Sequence, residues 1–490
     1  MADPTLKDAL KKLPDLRIAV IGDLVLDHYL WGDTSRISQE APVGIVKIND
    51  ETCFPGAAGN VAKNITSLGA RVFLCGVAGK DDKGRTLLDA LKQYHINADG
   101  ILISGSRKTT SKSRIISAGQ QMLRVDREDD APLGKEEEQA LLKKLTALFR
   151  KKIHGIVISD YAKGVLTPAV IRRIMEHAKR RDIPVITDPK AQAYSRYRGT
   201  DIIKPNRKEA ELATGISTST QKGLISACRK IKSDTRCRYV VVSLGSQGLF
   251  IFSGRGKGVH LPARTREVFD VSGAGDTVVS VILLCLCSGM TLQASCETAN
   301  TAAGIVVGKI GAASVSPEEL LEATLVDHSP AGKMMSNDDA VRFAAQARSS
   351  GKRVVFTNGC FDLIHAGHIK YLQAARKLGD YLIVAINSDR SIRAIKGKDR
   401  PFIREHNRAH VIASLECVDC VTVFDRETPT FLIRDLRPDL LVKGGDYTVD
   451  QVVGKEVVEA YGGEVTVVPP VPGLSTTSIA ETIKTESQSK

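Results

Sequence analysis

Two short stretches combine residue types that can do chemistry with backbone that can hold an anion. Asp270-Val271-Ser272-Gly273-Ala274-Gly275-Asp276-Thr277 stands directly before an apolar run, Thr277 to Met290. Its glycines let the chain turn sharply, so that amides of Gly273, Ala274 and Gly275 at a helix start converge as an anion hole. Such a site stabilises a phosphoryl group whose negative charge builds during transfer. Asp276 sits at the same helix start, placed as a catalytic base for an attacking hydroxyl. A helix N-terminus favours the carboxylate, which predicts modest basicity and gives positioning more weight than pKa. An ordinary glycine turn with an N-cap fits the same residues.

The second stretch is Thr357-Asn358-Gly359-Cys360-Phe361-Asp362-Leu363-Ile364-His365-Ala366-Gly367-His368, which ends a strand pattern and opens a helix. His365 and His368 are three apart and project to one side of a helix start. With the helix amides, two imidazoles can hold the phosphates of a nucleoside triphosphate. They would stabilise the α-phosphate as it gains charge and the pyrophosphate as it leaves. Zinc is the competing reading, but it needs two more ligands, and only Cys417-Val418-Asp419-Cys420 offers them. Asp389, Lys396, Arg400 and Arg408 add polar and cationic groups nearby, with Lys396 the candidate for balancing triphosphate charge. A solvated basic loop is the plain alternative for that run.

These stretches need strand–turn–helix scaffolds, and the chain supplies two series of them. The first includes strands from Arg17, Gly155, Ile183 and Tyr239; the second starts at Arg353, Asp380, Asp439 and Glu464. Alternation of short apolar runs with helical periods predicts α/β folds with parallel sheets. A polar stretch around 326–340 separates the series. The expected division is residues 1–330, a linker at 331–345, and residues 346–490. At 490 residues the chain exceeds a single core, and 42% hydrophobic with 26% charged residues excludes a disordered chain.

The net charge of +13 fits anionic small substrates as well as nucleic acid, and no zinc finger, RNP motif or basic–aromatic alternation supports nucleic acid. Ten scattered Cys point to a reducing cytoplasm, and no signal or membrane-spanning run is found.

Pro55-Gly56-Ala57-Ala58-Gly59-Asn60, Lys204-Pro205-Asn206-Arg207-Lys208-Glu209, Ser243-Leu244-Gly245-Ser246-Gln247-Gly248 and DVSGAGDT occur in that order. Together they resemble the ribokinase family of carbohydrate kinases over about the first 325 residues. The resemblance implies a ribokinase-like fold using ATP and Mg²⁺, with Asp276 as base. It implies nucleotide contacts at Asn206, Arg207, Lys208, Glu209, Gly245, Gly248 and Asn300, with Glu209 acting indirectly on Mg²⁺. It places sugar contacts at Asp27, Gly56 and Asn60; Arg124 and Lys190 are candidates for a substrate phosphate. Residues 29–48 break the helix–strand rhythm and correspond to the family's small β lid, whose free edges predict a homodimer.

TNGCFDLIHAGH, with Gly473-Leu474-Ser475-Thr476-Thr477-Ser478-Ile479 near the end, resembles the cytidylyltransferase-like family. That implies a Rossmann-like nucleotidyltransferase domain, with nucleotide contacts at Thr357, Asn358, Gly359, Phe361, Lys396, Ser475, Thr476 and Thr477. The signature reads phosphates and leaves ATP and CTP both open. The fusion as a whole resembles the bifunctional heptose-phosphate kinase/adenylyltransferases, which implies heptose phosphate substrates and an ADP-heptose product.

Overall fold

The computed structural model describes residues 5–469 apart from 191–192, 255, 264–269, 310, 312, 326–329 and 446–447. The chain divides into two compact units, Met1–Thr324 and Leu325–Lys490.

The described strands of the first unit are β1 (Arg17–Gly22), β2 (Leu24–Ile37), β3 (Gly44–Ala57), β4 (Arg71–Gly79), β5 (Asn97–Ser104), β6 (Thr110–Ser117) and β7 (Gln120–Arg127). They continue with β8 (Gly155–Ser159), β9 (Val185–Asp188), β10 (Ile202–Ile203), β11 (Tyr239–Ser243), β12 (Leu249–Phe252) and β13 (Val259–Leu261). One sheet runs in the order β13-β12-β11-β10-β9-β8-β1-β4-β5. It is parallel from β11 through β5, while β12 and β13 are antiparallel.

Both faces of this sheet are covered, which is why its strands read as unbroken apolar runs. Successive β1 side chains go to opposite cores. Ile18 and Val20 pack with Val61, Ile65, Val279 and Leu283, whereas Ala19 and Ile21 pack with Leu141, Leu145, Val170 and Ile174. The helix Ala274–Cys287 is buried at every position from Asp276 to Cys285. The expected core helix is there, and it carries Asp276 in its first turn.

The lid is a separate sheet in the order β3-β2-β6-β7. It is larger than the expected 29–48: β2 and β3 pair from Leu24↔Ala57 out to Ile37↔Gly44, and β6 and β7 add two strands. β7 is exposed at all of its positions. A strand with no buried face has no apolar alternation to read, which hid it in the sequence.

The second unit holds β14 (Val354–Gly359), β15 (Tyr381–Asn387), β16 (Cys420–Phe424), β17 (Leu440–Gly444) and β18 (Glu464–Val468). They form a parallel sheet in the order β16-β15-β14-β17-β18. From β14 the chain builds outward to β16, then crosses back to β17 on the other side of β14. This reversal opens a crevice at the carboxyl ends of β14 and β17, where open sheets bind ligands.

The expected linker at 331–345 is corrected by the structure. Met334 bridges to Val421, and the helix Asn337–Ser349 follows, capped by Ser336, which accepts from the Asp339 amide. Ala340, Phe343, Ala344 and Ala347 lie on one helix face and are buried among Val354, Phe356 and Tyr381. Their spacing is helical, but the polar residues preceding them dominated the reading.

Candidate active sites

In the first unit a cleft of about 440 Å³ lies at the carboxyl ends of β9, β10 and β11, with Asp276 and the Gly273–Gly275 turn in its wall. Gly273 caps the helix Ala274–Cys287 at φ +80°, a left-handed conformation that glycine adopts without strain. Asp276 is 4% exposed. Asn60 donates from Nδ2 to its Oδ2 at 2.7 Å, and Tyr161 donates its hydroxyl to Oδ1 at 3.1 Å. Each carboxylate oxygen therefore has a fixed donor.

Burial, with the Asp188 charge behind it, pushes the Asp276 carboxyl up to about 7 against the opposing pull of Asn60, Lys204 and Tyr161. This corrects the expectation of modest basicity, because desolvation of a closed site outweighs the helix terminus. Phosphorylation by this unit is expected to rise with pH through about 7 and then level off, since only ionised Asp276 accepts a proton. A kcat profile across the neutral range checks this; a flat profile would remove Asp276 as the titrating base.

Lys204 is a residue that motif reading left without a role. It is 3% exposed and its Nζ lies 2.9 Å from Asp188. Burial opposes its charge, but Asp188 and Glu209 outweigh burial and raise its pKa, so the ammonium persists. A Cβ on Gly275 would come 3.3 Å from this ammonium, which puts a buried cation against the anion-hole turn.

Asn206 and Glu209 form a capping box on the helix Arg207–Thr214. Asn206 accepts from the Glu209 amide at 2.9 Å, and Glu209 accepts from the Asn206 amide at 2.7 Å and from Lys190 at 2.5 Å. All three side chains line the cleft, as do Gly245, Gly248 and Asn300. Gly248, at φ +91°, leaves no room for a Cβ, which would stand 2.1 Å from the Leu261 carbonyl. Asn300 donates to the Pro262 carbonyl at 2.6 Å. Arg207 is instead spent on the Thr218 carbonyl and Gln247, and Lys208 is exposed; neither lines the cleft.

At the lid, Asp27 lies within β2 and accepts from Arg114 at 2.6 Å. A Cβ on Gly56 would fall 2.2 Å from Asp27 Oδ2, so glycine is the clearance for this carboxylate. Arg114 stacks over Tyr29 at 5.1 Å and was missed because β6 carries no motif. Arg124 is a correction: it is exposed on β7, donates to Asp126 at 2.9 Å, and does not line the cleft.

In the second unit His365 is the N-cap of the helix Ala366–Arg376, its Nδ1 accepting from the Gly367 amide at 3.2 Å. The two imidazole centroids are 4.0 Å apart, and Phe361 meets His368 edge-on at 5.3 Å. Burial, then His365 and Lys396, push His368 down to about 4. Its Nδ1 is buried without a hydrogen-bond partner among the described residues. The pair is thus no double cation: protonating both rings at this separation would oppose two like charges. His368 is therefore neutral at physiological pH.

Across the crevice Lys443 donates to the carbonyl and Oδ1 of Asn358, each at 3.2 Å. This lysine sits in the LLVKGGDY run and was not singled out; a strand followed by two glycines was its signal. Gly359 is covered by the Phe361 ring, which would lie 3.0 Å from its Cβ. Thr357 is a correction: it is fully buried and shares a hydrogen bond with the Tyr371 hydroxyl at 2.5 Å, so it supports the strand end from behind.

Arg408 is also structural, 1% exposed and donating to the Ile403 and Cys360 carbonyls and to Asp389. Arg400 donates to Asp362 at 2.7 Å. Lys396 is exposed at the end of the helix Asp389–Lys396. Cys417 and Cys420 lack the further donors of a zinc site among the described residues. Ser475, Thr476 and Thr477 lie outside the described residues.

Residues 15–319 match the pfkB family carbohydrate kinases, and residues 356–487 match the cytidylyltransferase-like family. The bifunctional protein HldE of Geobacter sulfurreducens is 46% identical over 95% of this chain and 95% of its own. The chain belongs to the HldE family. A more distant member, from Methylobacillus flagellatus, is 42% identical over 94% of this chain and 95% of its own. The chain is therefore a bifunctional enzyme, a carbohydrate kinase joined to a nucleotidyltransferase. Escherichia coli phosphofructokinase-2 shares the fold of the first unit, with a TM-score of 0.52 at 19% identity over 63% of this chain and 97% of its own. Arabidopsis thaliana ribokinase does so with a TM-score of 0.50 at 17% identity, covering 63% of this chain and 98% of its own.

Proposed function

We propose that the first unit phosphorylates D-glycero-β-D-manno-heptose 7-phosphate at C1 with ATP. Once a separate phosphatase has removed the 7-phosphate of the resulting 1,7-bisphosphate, the second unit transfers AMP from another ATP to the heptose 1-phosphate, giving ADP-heptose for the lipopolysaccharide inner core. The observation that carries this reading is the match to HldE proteins along nearly the whole chain.

In the kinase cleft the anomeric hydroxyl gives its proton to Asp276 as its oxygen attacks the γ-phosphorus and ADP leaves. Asn60 and Tyr161 aim the base. The Gly273–Gly275 amides and Lys204 face the charge that builds on the transferred group. Asp27, held by Arg114, presents a carboxylate to sugar hydroxyls. Gly245, Gly248 and Asn300 border the nucleotide. Glu209 and Asp188 fit an oxygen-seeking ion held through its waters, because Lys190 and Lys204 already occupy part of their oxygens. A bound Mg²⁺ would neutralise negative charge on the nucleotide phosphates.

In the second unit a phosphate oxygen of heptose 1-phosphate attacks the α-phosphorus of ATP, and pyrophosphate leaves. His365, His368, Lys396 and Lys443 surround the crevice where that charge collects.

The lid is the proposed dimer surface. β3 and β7 are its outer strands, and Ile37, Met122, Leu123 and Val125 are exposed. A second copy would cover both. The described cysteines are unpaired, and no described helix is long and apolar enough to cross a membrane, which supports a cytoplasmic enzyme.

Phosphorus NMR with ATP or CTP and the heptose phosphates tests the whole scheme. Heptose 1,7-bisphosphate and ADP-heptose are expected, with CTP inert in the second step. Phosphorylation only of other sugars would overturn the substrate, and equal use of CTP would overturn the adenylyl assignment. Sedimentation run in parallel is expected to show a dimer; a monomer throughout would remove the lid contact.

A further inference from the structure

One buried carboxylate behind the kinase cleft is not used by the chemistry above. Asp23, between β1 and β2, is 1% exposed. It accepts backbone N–H bonds from Tyr161 at 2.7 Å and Lys163 at 3.1 Å on Oδ2, and from Val165 at 3.2 Å on Oδ1. Three alternate amides of one loop thus converge on a single carboxylate. That convergence needs a backbone that alternates in hand: Ala162 has φ +55° and Gly164 φ +80°. Successive right- and left-handed residues make a concave nest of N–H groups, a shape that holds an anion.

The nest fixes the direction of Tyr161. With the 161 amide tied to Asp23, the side chain leaves toward the cleft, and its hydroxyl reaches Asp276 Oδ1 at 3.1 Å. Neighbouring bonds brace the same loop from other sides. Asp160 accepts from the Ala162 amide at 2.8 Å and from the Tyr197 hydroxyl at 2.5 Å, and the Asp23 amide donates to the Ser159 carbonyl. A left-handed alanine is a strained choice that other contacts must sustain.

We propose that Asp23 is a positioning residue for phosphoryl transfer, gathering the 160–165 loop so that the Tyr161 hydroxyl orients the base. This rests on the assignment of Asp276 as that base. Asp23 itself is buried and does not line the cleft. Burial, and then the Asp160 charge, raise its pKa to about 6, against the three amides that favour the ionised form. The group is therefore predominantly anionic at neutral pH, as the nest requires.

In the full-length protein, Asp23→Asn puts an amide NH₂ among three N–H donors, and Tyr161→Phe removes the hydroxyl alone. Each is expected to lower kcat for sugar phosphorylation by about 10- to 100-fold, the range for losing one hydrogen bond to a charged group. KM for ATP should stay near wild type, and the acidic limb of the kcat profile should move to higher pH because the Tyr161 bond favours ionised Asp276. The double variant is expected to match either single one, since both act through one contact. Pyrophosphate release by the second unit gives an unaltered internal reference.

A wild-type pH limb in Asp23→Asn, a fall in melting temperature alone, or fully additive losses in the double variant would overturn the proposal. Should Asp23→Asn fail to fold, Tyr161→Phe carries the test, and a wild-type limb there overturns it equally. Turnover retained by Asp276→Asn would instead remove the base assignment, whatever the coupling between the other two.

Discussion

Asp276→Asn is expected to reduce sugar phosphorylation by about 10²–10⁴-fold, the usual contribution of a positioned base, while leaving transfer of AMP to heptose 1-phosphate intact. The substitution is nearly isosteric: Asn can still accept from Tyr161, and the Asn60 amide turns over to accept from the new NH₂. The sign of its effect on stability is also set by the site. Burial raises the folded-state pKa from the ordinary carboxylate value to about 7, so ionising Asp276 costs stability as pH rises across that window. Asn escapes that cost, and the variant should melt no lower than wild type above neutrality. A kinase-dead protein that is folded and still makes ADP-heptose from heptose 1-phosphate is the expected outcome. Wild-type phosphorylation by the variant would dismiss Asp276 as base, and loss of both reactions would point to a fold defect.

His365→Ala and His368→Ala should invert this pattern, lowering pyrophosphate release by about 10²–10³-fold each and sparing the kinase. The loss should fall mainly on kcat, because charge on the α-phosphate grows toward the transition state. The two variants should differ in stability. His365 caps a helix by accepting from the Gly367 amide, and losing a cap costs on the order of 1 kcal/mol. His368 contributes a buried nitrogen with no hydrogen-bond partner among the described residues, so its removal should leave the melting temperature closer to wild type. Normal pyrophosphate release from both variants would exclude the pair from catalysis.

The sequence disclosed these two sites unevenly, for physical reasons. Signatures that bend the backbone are local: DVSGAGDT and HAGH each place glycine beside a functional group, and both were found where the sequence placed them. Parallel strands such as β1, β8 and β11 were readable because they are buried on both faces. Lys204, Tyr161 and Arg114 were not assigned. Each meets its partner outside its own stretch: Lys204 pairs with Asp188, Tyr161 and Asp276 are 115 residues apart, and Arg114 and Asp27 are 87 apart. Nothing local marks such pairs.

Misreadings followed the same logic in reverse. Arg124 is a cation near the right region of the chain, but β7 turns it to solvent. Thr357 stands in a signature, yet its hydroxyl serves the fold. The basicity of Asp276 was underestimated because burial is a property of the closed tertiary structure, which a helix terminus cannot report.

The helix that bears Asp276 is enclosed for ten consecutive positions, from Asp276 to Cys285. A rod with no free side cannot slide or roll without opening the core on both sides. Asp276 is thus a fixed point in the wall of the cleft. Any rearrangement during turnover is therefore expected in the segments around this helix and not in the helix itself.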